Sequence, residues 1–347
     1  MGLFAVIDEV ADDAKTSEGM REATLNPNIN VSLRGWNDED EDEARTLGHR
    51  MIGLAREISK ACDLSHLRSI VIGCDYQEAL HSVKLEGEDD HVATANEFAT
   101  GAAMAVHQKL DGELWSTVVI WTPLVRNLFE DGHPDSKLAF QTFLHELMHV
   151  ADVAKFTATF PGGWENASPE NERDGHLQAI GNPLRSEYFA QRGAAWVLPE
   201  FGFGYIDLLE EVVGKIDDQI VEARAELDDT GDLAAFWEAA RSRVSFLFQS
   251  MGYALGHVDG ILCRREDDDE HAAVSEKYEK RLEELQRYPS GWVVAEAAEQ
   301  GRRFFEMEKW SGMKDFEPLT DLVERYLNFH GVETFAVKDK MELRVVL

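Results

Sequence analysis

The sequence predicts an α+β chain: a small antiparallel sheet and a long amphipathic helix, followed by a mostly helical C-terminal part. Three observations carry this. Asp111-Gly112, a strong two-residue hairpin signal, separates two apolar, partly β-branched runs, Ala102 to His107 and Leu114 to Trp121. From Lys137 to about Phe156, the residues Phe140, Phe143, Leu144, Leu147, Met148 and Ala151 form one apolar stripe at helical spacing. Beyond Arg185 the chain reads as a succession of helices until Val332.

In chain order, residues 1–43 are expected to be loosely ordered and acidic, with a turn at Asn26-Pro27-Asn28 and the charged run from Asn37 to Glu43. That run precedes a helix over Ala44 to Ala61, marked by Leu47, Met51, Leu54 and Ile58, and acids at a helix start favour its dipole. The run lacks the central Gly of a calcium loop. Ser69 to Cys74 reads as a short buried strand and Asp131 to Pro134 as a loop. Residues 157–183 are loop-rich, with Pro161-Gly162-Gly163, Asn171 and Asn182-Pro183. Helices are expected near 185–199, 205–227, 232–256, 270–288, 292–310 and 316–330, broken at Gly231, Gly260, Pro289, Gly291 and Gly331, with a closing strand after Val332. The expected division is an acidic N-terminal segment 1–43, a domain 44–204 and a helical domain 205–347.

The 347 residues carry a net charge of −32, and the excess is spread along the chain. A surface of this kind resists aggregation and has no basic stripe to neutralise phosphates, so direct nucleic-acid binding is not expected. A salt-rich habitat, or a surface that mimics a polyanion toward a basic partner, would leave the same charge. No apolar stretch approaches a membrane span, and the acidic start does not read as a secretory signal. Cys62, Cys74 and Cys263 are too few and too far apart for a disulfide framework, which points to a cytoplasmic setting.

Within the amphipathic helix stands His145-Glu146-Leu147-Met148-His149, an H-E-x-x-H segment. Residues four apart share a helix face, so both imidazoles can reach one ion. The Glu beside the first His is then placed to take a proton from a metal-bound water. The bland alternative is two surface histidines on an ordinary helix. A catalytic zinc needs a third protein ligand, for which Asp152, His176 and Glu187 are the downstream candidates. Three ligands on one straight helix rarely converge, so Asp152 is expected instead to orient an imidazole. His176 falls in a loop, where a solvated histidine is the ordinary case. Glu187 is preferred: it opens a second helix whose Phe189, Ala190, Ala194, Val197 and Leu198 pack inward. Against it stands the reading of Glu187 as an acid that merely favours a helix N-terminus.

The H-E-L-x-H segment, followed by Glu187, Ala190, Ala194 and Leu198-Pro199, resembles the gluzincin-type metallopeptidases and in particular the ImmA/IrrE-like group, over roughly residues 100–200. The resemblance implies a zincin-like fold and one zinc ion per chain held by His145, His149 and Glu187. It also implies a tyrosine or histidine that stabilises the oxyanion, for which Tyr188, His176 and Tyr205 are candidates. Members of the group cleave regulatory repressors. In this chain Gln191 stands where the group has Asn or a similar residue, and no helix-turn-helix is attached. His257 either lines a cleft or favours the C-terminal dipole of its helix. The leading expectation is a zinc-dependent metallopeptidase acting on a protein or peptide substrate. The alternative is a non-catalytic zinc-binding interaction protein whose acidic helical half binds a partner.

Overall fold

The computed structural model describes residues 22–85, 101–130, 132–266 and 269–346. Two units are present, Met1–Gly163 and Trp164–Leu347. The division precedes the expected boundary at 204, so Glu187 falls in the second unit.

In the first unit, β1 (Asn30–Arg34) leads to α1 (Glu41–Ile58), whose first turn carries Glu41, Asp42 and Glu43 and whose Leu47, Met51, Leu54 and Ile58 are buried. The region expected to be loose therefore holds a strand, and residues 1–21 lie outside the described residues. The strand β2 (Leu67–Gly73) is followed by α2 (Tyr76–His81), capped by Asp75, which accepts from the Glu78 N–H. The hairpin is β3 (Ala103–Leu110) and β4 (Glu113–Trp121), turned at Asp111 (φ 53) and Gly112 (φ 88). Two successive positive φ values are what the right-handed strand twist demands of a two-residue turn. Then come α3 (Thr122–Phe129) and α4 (Ser136–Thr159).

The sheet order is β1-β2-β4-β3. β1 runs parallel to β2 and β2 parallel to β4; only β3 is antiparallel to its neighbour. The sheet is thus mixed, not antiparallel as expected. A hairpin announces itself locally through its turn, whereas parallel pairs are joined by long crossovers that leave no turn signature.

β3 stands at the end of the sheet order. The Trp121 N–H donates to Ala102 O, so residues at even positions from 102 onward exchange ladder bonds with β4. By alternation, Ala103, Ala105 and His107 turn their N–H and C=O groups to the side of β3 away from β4. α4 packs on β3 and β4 and is buried along most of its length, including Phe140, Phe143, Leu144, Leu147 and Val150.

The second unit is built around α5 (Glu172–Ala194), with α6 (Gly202–Thr230), α7 (Leu233–Leu262), α8 (Asp269–Glu284), α9 (Trp292–Glu306) and α10 (Glu317–Phe329). A hairpin of β5 (Val332–Val337) and β6 (Lys340–Val345) ends it. α5 contacts α7, α9, α10 and this hairpin. It starts well before the expected helix near 185: Asn171 caps it by accepting from the Asp174 N–H, and Pro183 lies in its interior. Among the described residues, no helix is long and apolar enough to cross a membrane.

α5 and α7 approach closely because α7 presents a glycine at every fourth position. A Cβ on Gly252 would lie 2.8 Å from both Glu187 Cβ and Leu184 O, one on Gly256 2.5 Å from Tyr188 O, and one on Gly260 2.7 Å from Arg192 O. Gly260, expected as a helix break, is therefore a packing residue inside α7. Alanine in place of glycine ordinarily stabilises a helix by about 1 kcal/mol. At Gly256 the sign reverses, because a backbone carbonyl cannot move aside. Gly256→Ala is expected to cost about 2 kcal/mol, by the measure of overpacked cores. Gly204 in α6, where an added Cβ meets nothing within 4 Å, serves as the control and should stabilise. Urea unfolding of the two variants checks this; a stabilised Gly256→Ala would refute the close-packing account.

Candidate metal centre

His145 and His149 lie four residues apart on α4, one turn of the same face. Their Nε2 atoms are 3.1 Å apart, and the rings meet edge to face with centroids 4.6 Å apart. Two imidazole nitrogens bound tetrahedrally to zinc at ordinary bond lengths would be about 3.3 Å apart. The pair therefore offers two nitrogens at the spacing one ion requires, and imidazole is a donor zinc accepts readily.

Glu146 is only 8% exposed, and its Oε2 accepts from the Ala105 N–H at 2.7 Å. That amide is one of the outward-facing groups of β3. The carboxylate is thus fixed where α4 meets β3, and fixing a base in one rotamer removes a reorganisation cost from proton transfer. Tyr76 of α2 is a residue the sequence reading missed. Its hydroxyl is buried and has no hydrogen-bond partner among the described residues. Burial first, and then the charge of Glu146, hold that phenol protonated well above its ordinary range. Asp152, expected to orient an imidazole, is 3% exposed on α4, one turn past His149.

In the second unit Glu187 lies deep in α5, several turns past Glu172. This removes the reading of Glu187 as an acid stabilising a helix N-terminus, because the N-terminus is elsewhere. Its Oε1 accepts from Gln249 Nε2 at 3.1 Å and from the Tyr253 hydroxyl at 2.9 Å, both on α7. Gly252, beside Tyr253, is the residue whose missing Cβ lets α7 come this close. Tyr253 in turn stacks on Tyr205, with ring centroids 5.4 Å apart, and Tyr205 receives a hydrogen bond from Gln191 Nε2 at 2.7 Å. Neither Gln249 nor Tyr253 was expected from the sequence. The available signal was the G-x-x-x-G-x-x-x-G spacing around them.

The three candidates for oxyanion stabilisation are engaged within the second unit, Tyr205 through Gln191 and Tyr253 as above. Tyr188 is 1% exposed; its hydroxyl donates to Asp259, whose carboxylate also takes two hydrogen bonds from Arg302, both at 2.8 Å. Burial, and then the Asp259 charge, keep Tyr188 protonated far above the ordinary phenol range. Its proton is committed to Asp259. His176, expected in a loop, is in the second turn of α5 and meets Trp237 edge to face at 6.0 Å.

His257 lines no surface: it is fully buried in α7, with Nε2 3.0 Å from Pro199 O. Burial lowers its pKa to about 4. The unfolded chain therefore takes this proton first as pH falls below about 6.5, and the neutral buried ring loses its stabilising contribution down to about pH 4. The expected loss over that window is about 3 kcal/mol. The difference in urea stability between the wild type and His257→Leu, measured at pH 7 and at pH 4.5, should shrink at the lower pH. A constant difference would refute this account.

No family model matches the chain, and no curated protein or solved structure is similar to it.

Proposed function

We propose that the chain is a zinc-dependent metallopeptidase with a zincin-like first unit; His145, His149 and Glu187 hold one zinc ion, and Glu146 is the general base. One observation carries the reading. On a single helix face two imidazole nitrogens stand 3.1 Å apart, and the glutamate between them is tied to an outward amide of an edge strand. Surface histidines on an ordinary helix have no reason to combine with a buried carboxylate fixed in that place.

When bound, the ion would supply Lewis acidity to a carbonyl oxygen and to a water. Glu146 takes the water proton as the water attacks the carbonyl and passes it to the leaving amine. Ala103 and the C=O of Ala105, which point away from β4, give an extended peptide main-chain partners along β3. Tyr253 and Gln249 orient Glu187, and Asp152 orients an imidazole; partners of this kind hold ligands in one geometry. Cys62, Cys74 and Cys263 form no disulfide, in keeping with a reducing, cytoplasmic setting for a protein or peptide substrate.

The test is hydrolysis of a randomised peptide pool by the zinc-loaded protein, by a chelated sample and by Glu146→Gln. Cleavage by the first alone supports the reading. Zinc bound without any cleavage would move the function to a non-catalytic zinc-binding interaction protein.

A further inference from the structure

The second unit holds a cavity of about 370 Å³ between α5 and α7, lined by Ile180, Arg241, Ser242, Ser245, Phe246 and Gln249 among others. Its size falls within the range of small-ligand sites. Its lining combines an apolar wall with a guanidinium, two hydroxyls and an amide.

Arg241, Ser245, Gln249 and Tyr253 recur at every fourth position, so they share one face of α7. At its C-terminal end this face reaches Glu187 through Gln249 and Tyr253. At the other end stands Arg241. Its Nη2 meets Glu238 at 2.6 Å, an exposed pair that solvent screens to little effect. Its Nε is buried and has no hydrogen-bond partner among the described residues. A buried guanidinium donor left unmet is costly, and the group that satisfies it best is a carboxylate, which takes two parallel N–H bonds from Arg. In a chain of net charge −32, a cationic group opening into a cavity is a local exception to the surface around it.

We infer that this cavity binds a carboxylate of the substrate, through Arg241 with Ser242 and Ser245. The inference rests on the metallopeptidase reading only for the cavity's role as a substrate subsite. Gln249 and Arg241 are eight residues apart, about 12 Å along the helix axis. An extended peptide covers that in about four residues. The subsite therefore selects peptides with an acidic side chain, or a free C-terminus, about four residues from the bond cut beside Glu187.

Binding is measured by fluorescence anisotropy on the Glu146→Gln protein, so that no peptide is consumed. The probes are four pools of octapeptides randomised over uncharged residues and labelled with a charge-neutral boron-dipyrromethene dye: C-terminally amidated, amidated with one internal Glu, amidated with Gln in the same place, and with a free C-terminal carboxylate. At least about ten-fold tighter binding of the Glu pool or of the free-acid pool over the amidated neutral pool is expected. Which of the two gains tells the acidic side chain from the chain terminus. With Arg241→Gln added, the ratio of affinities between the carboxylate-bearing pools and the amidated neutral pool should fall to about one. Equal binding of all four pools, or a preference that survives Arg241→Gln, overturns the inference. Because this readout needs no hydrolysis, it fails or succeeds independently of the zinc and cleavage tests above.

Discussion

His149→Ala lowers the affinity for zinc by more than about a hundred-fold, and Glu187→Ala does so to a similar degree. The expectation follows from coordination number. Changes outside the coordination sphere cost roughly 10–100-fold in affinity, and removal of one of three protein ligands must cost more. The wild type should hold one zinc per chain after dialysis, while both variants lose it. Elemental analysis reads this directly, and a competitive chelator gives the affinity. Tyr253→Phe keeps every proposed ligand but removes a donor to Glu187 Oε1, so its zinc affinity should fall about ten-fold and no further. That graded series distinguishes a ligand from a residue that orients one. Zinc retained in full by Glu187→Ala would move the third ligand to Asp152 or His176. The same measurements with cobalt, manganese and nickel in place of zinc decide the identity of the ion, because two imidazoles and a carboxylate alone do not select zinc.

The parts of the site that were legible in the sequence are those whose geometry is set within one turn. His145 and His149 are brought together by helix periodicity alone, and the stripe of apolar residues beside them says that a helix forms there. The hairpin was legible for the same reason, since Asp111-Gly112 satisfies its turn without help from the rest of the chain. Contacts between distant segments left weaker marks. β1 is short and half polar, and its partner β2 lies across a whole helix, so nothing local announces the pairing. Pro183 and the preceding Asn182 read as a turn, yet the surrounding packing carries α5 through them. The local preference against an interior proline is outweighed by the burial of Leu177, Ile180 and Leu184. That misreading placed Glu187 in a first helical turn and admitted a helix-dipole role, which the true start at Glu172 removes. The clamp on Glu187 joins residues more than sixty positions apart. Its only trace is the glycine spacing of α7, which looks like helix breaks until the partner helix is known.

Glu146→Gln is expected to leave the fold and the zinc affinity unchanged and to lower the rate of peptide hydrolysis about a thousand-fold. The substitution is close to isosteric. A glutamine Oε1 can still accept the Ala105 N–H that Glu146 accepts at 2.7 Å, so the helix keeps its tie to β3. What disappears is the capacity to take a proton. General-base catalysis by a positioned side chain contributes about 10²–10⁴-fold. Glu146→Asp separates basicity from position. It keeps the charge but shortens the side chain by one methylene, and a misplacement of about 1 Å at a reacting group costs on the order of a hundred-fold. The two variants should therefore rank wild type, then Asp, then Gln in rate, with equal zinc content and equal urea midpoints. If Glu146→Gln cleaves at the wild-type rate, Glu146 is not the base, and its burial against β3 serves the fold alone. If Asp is as inactive as Gln while zinc stays bound, the geometry set by the Ala105 amide matters as much as the charge it holds.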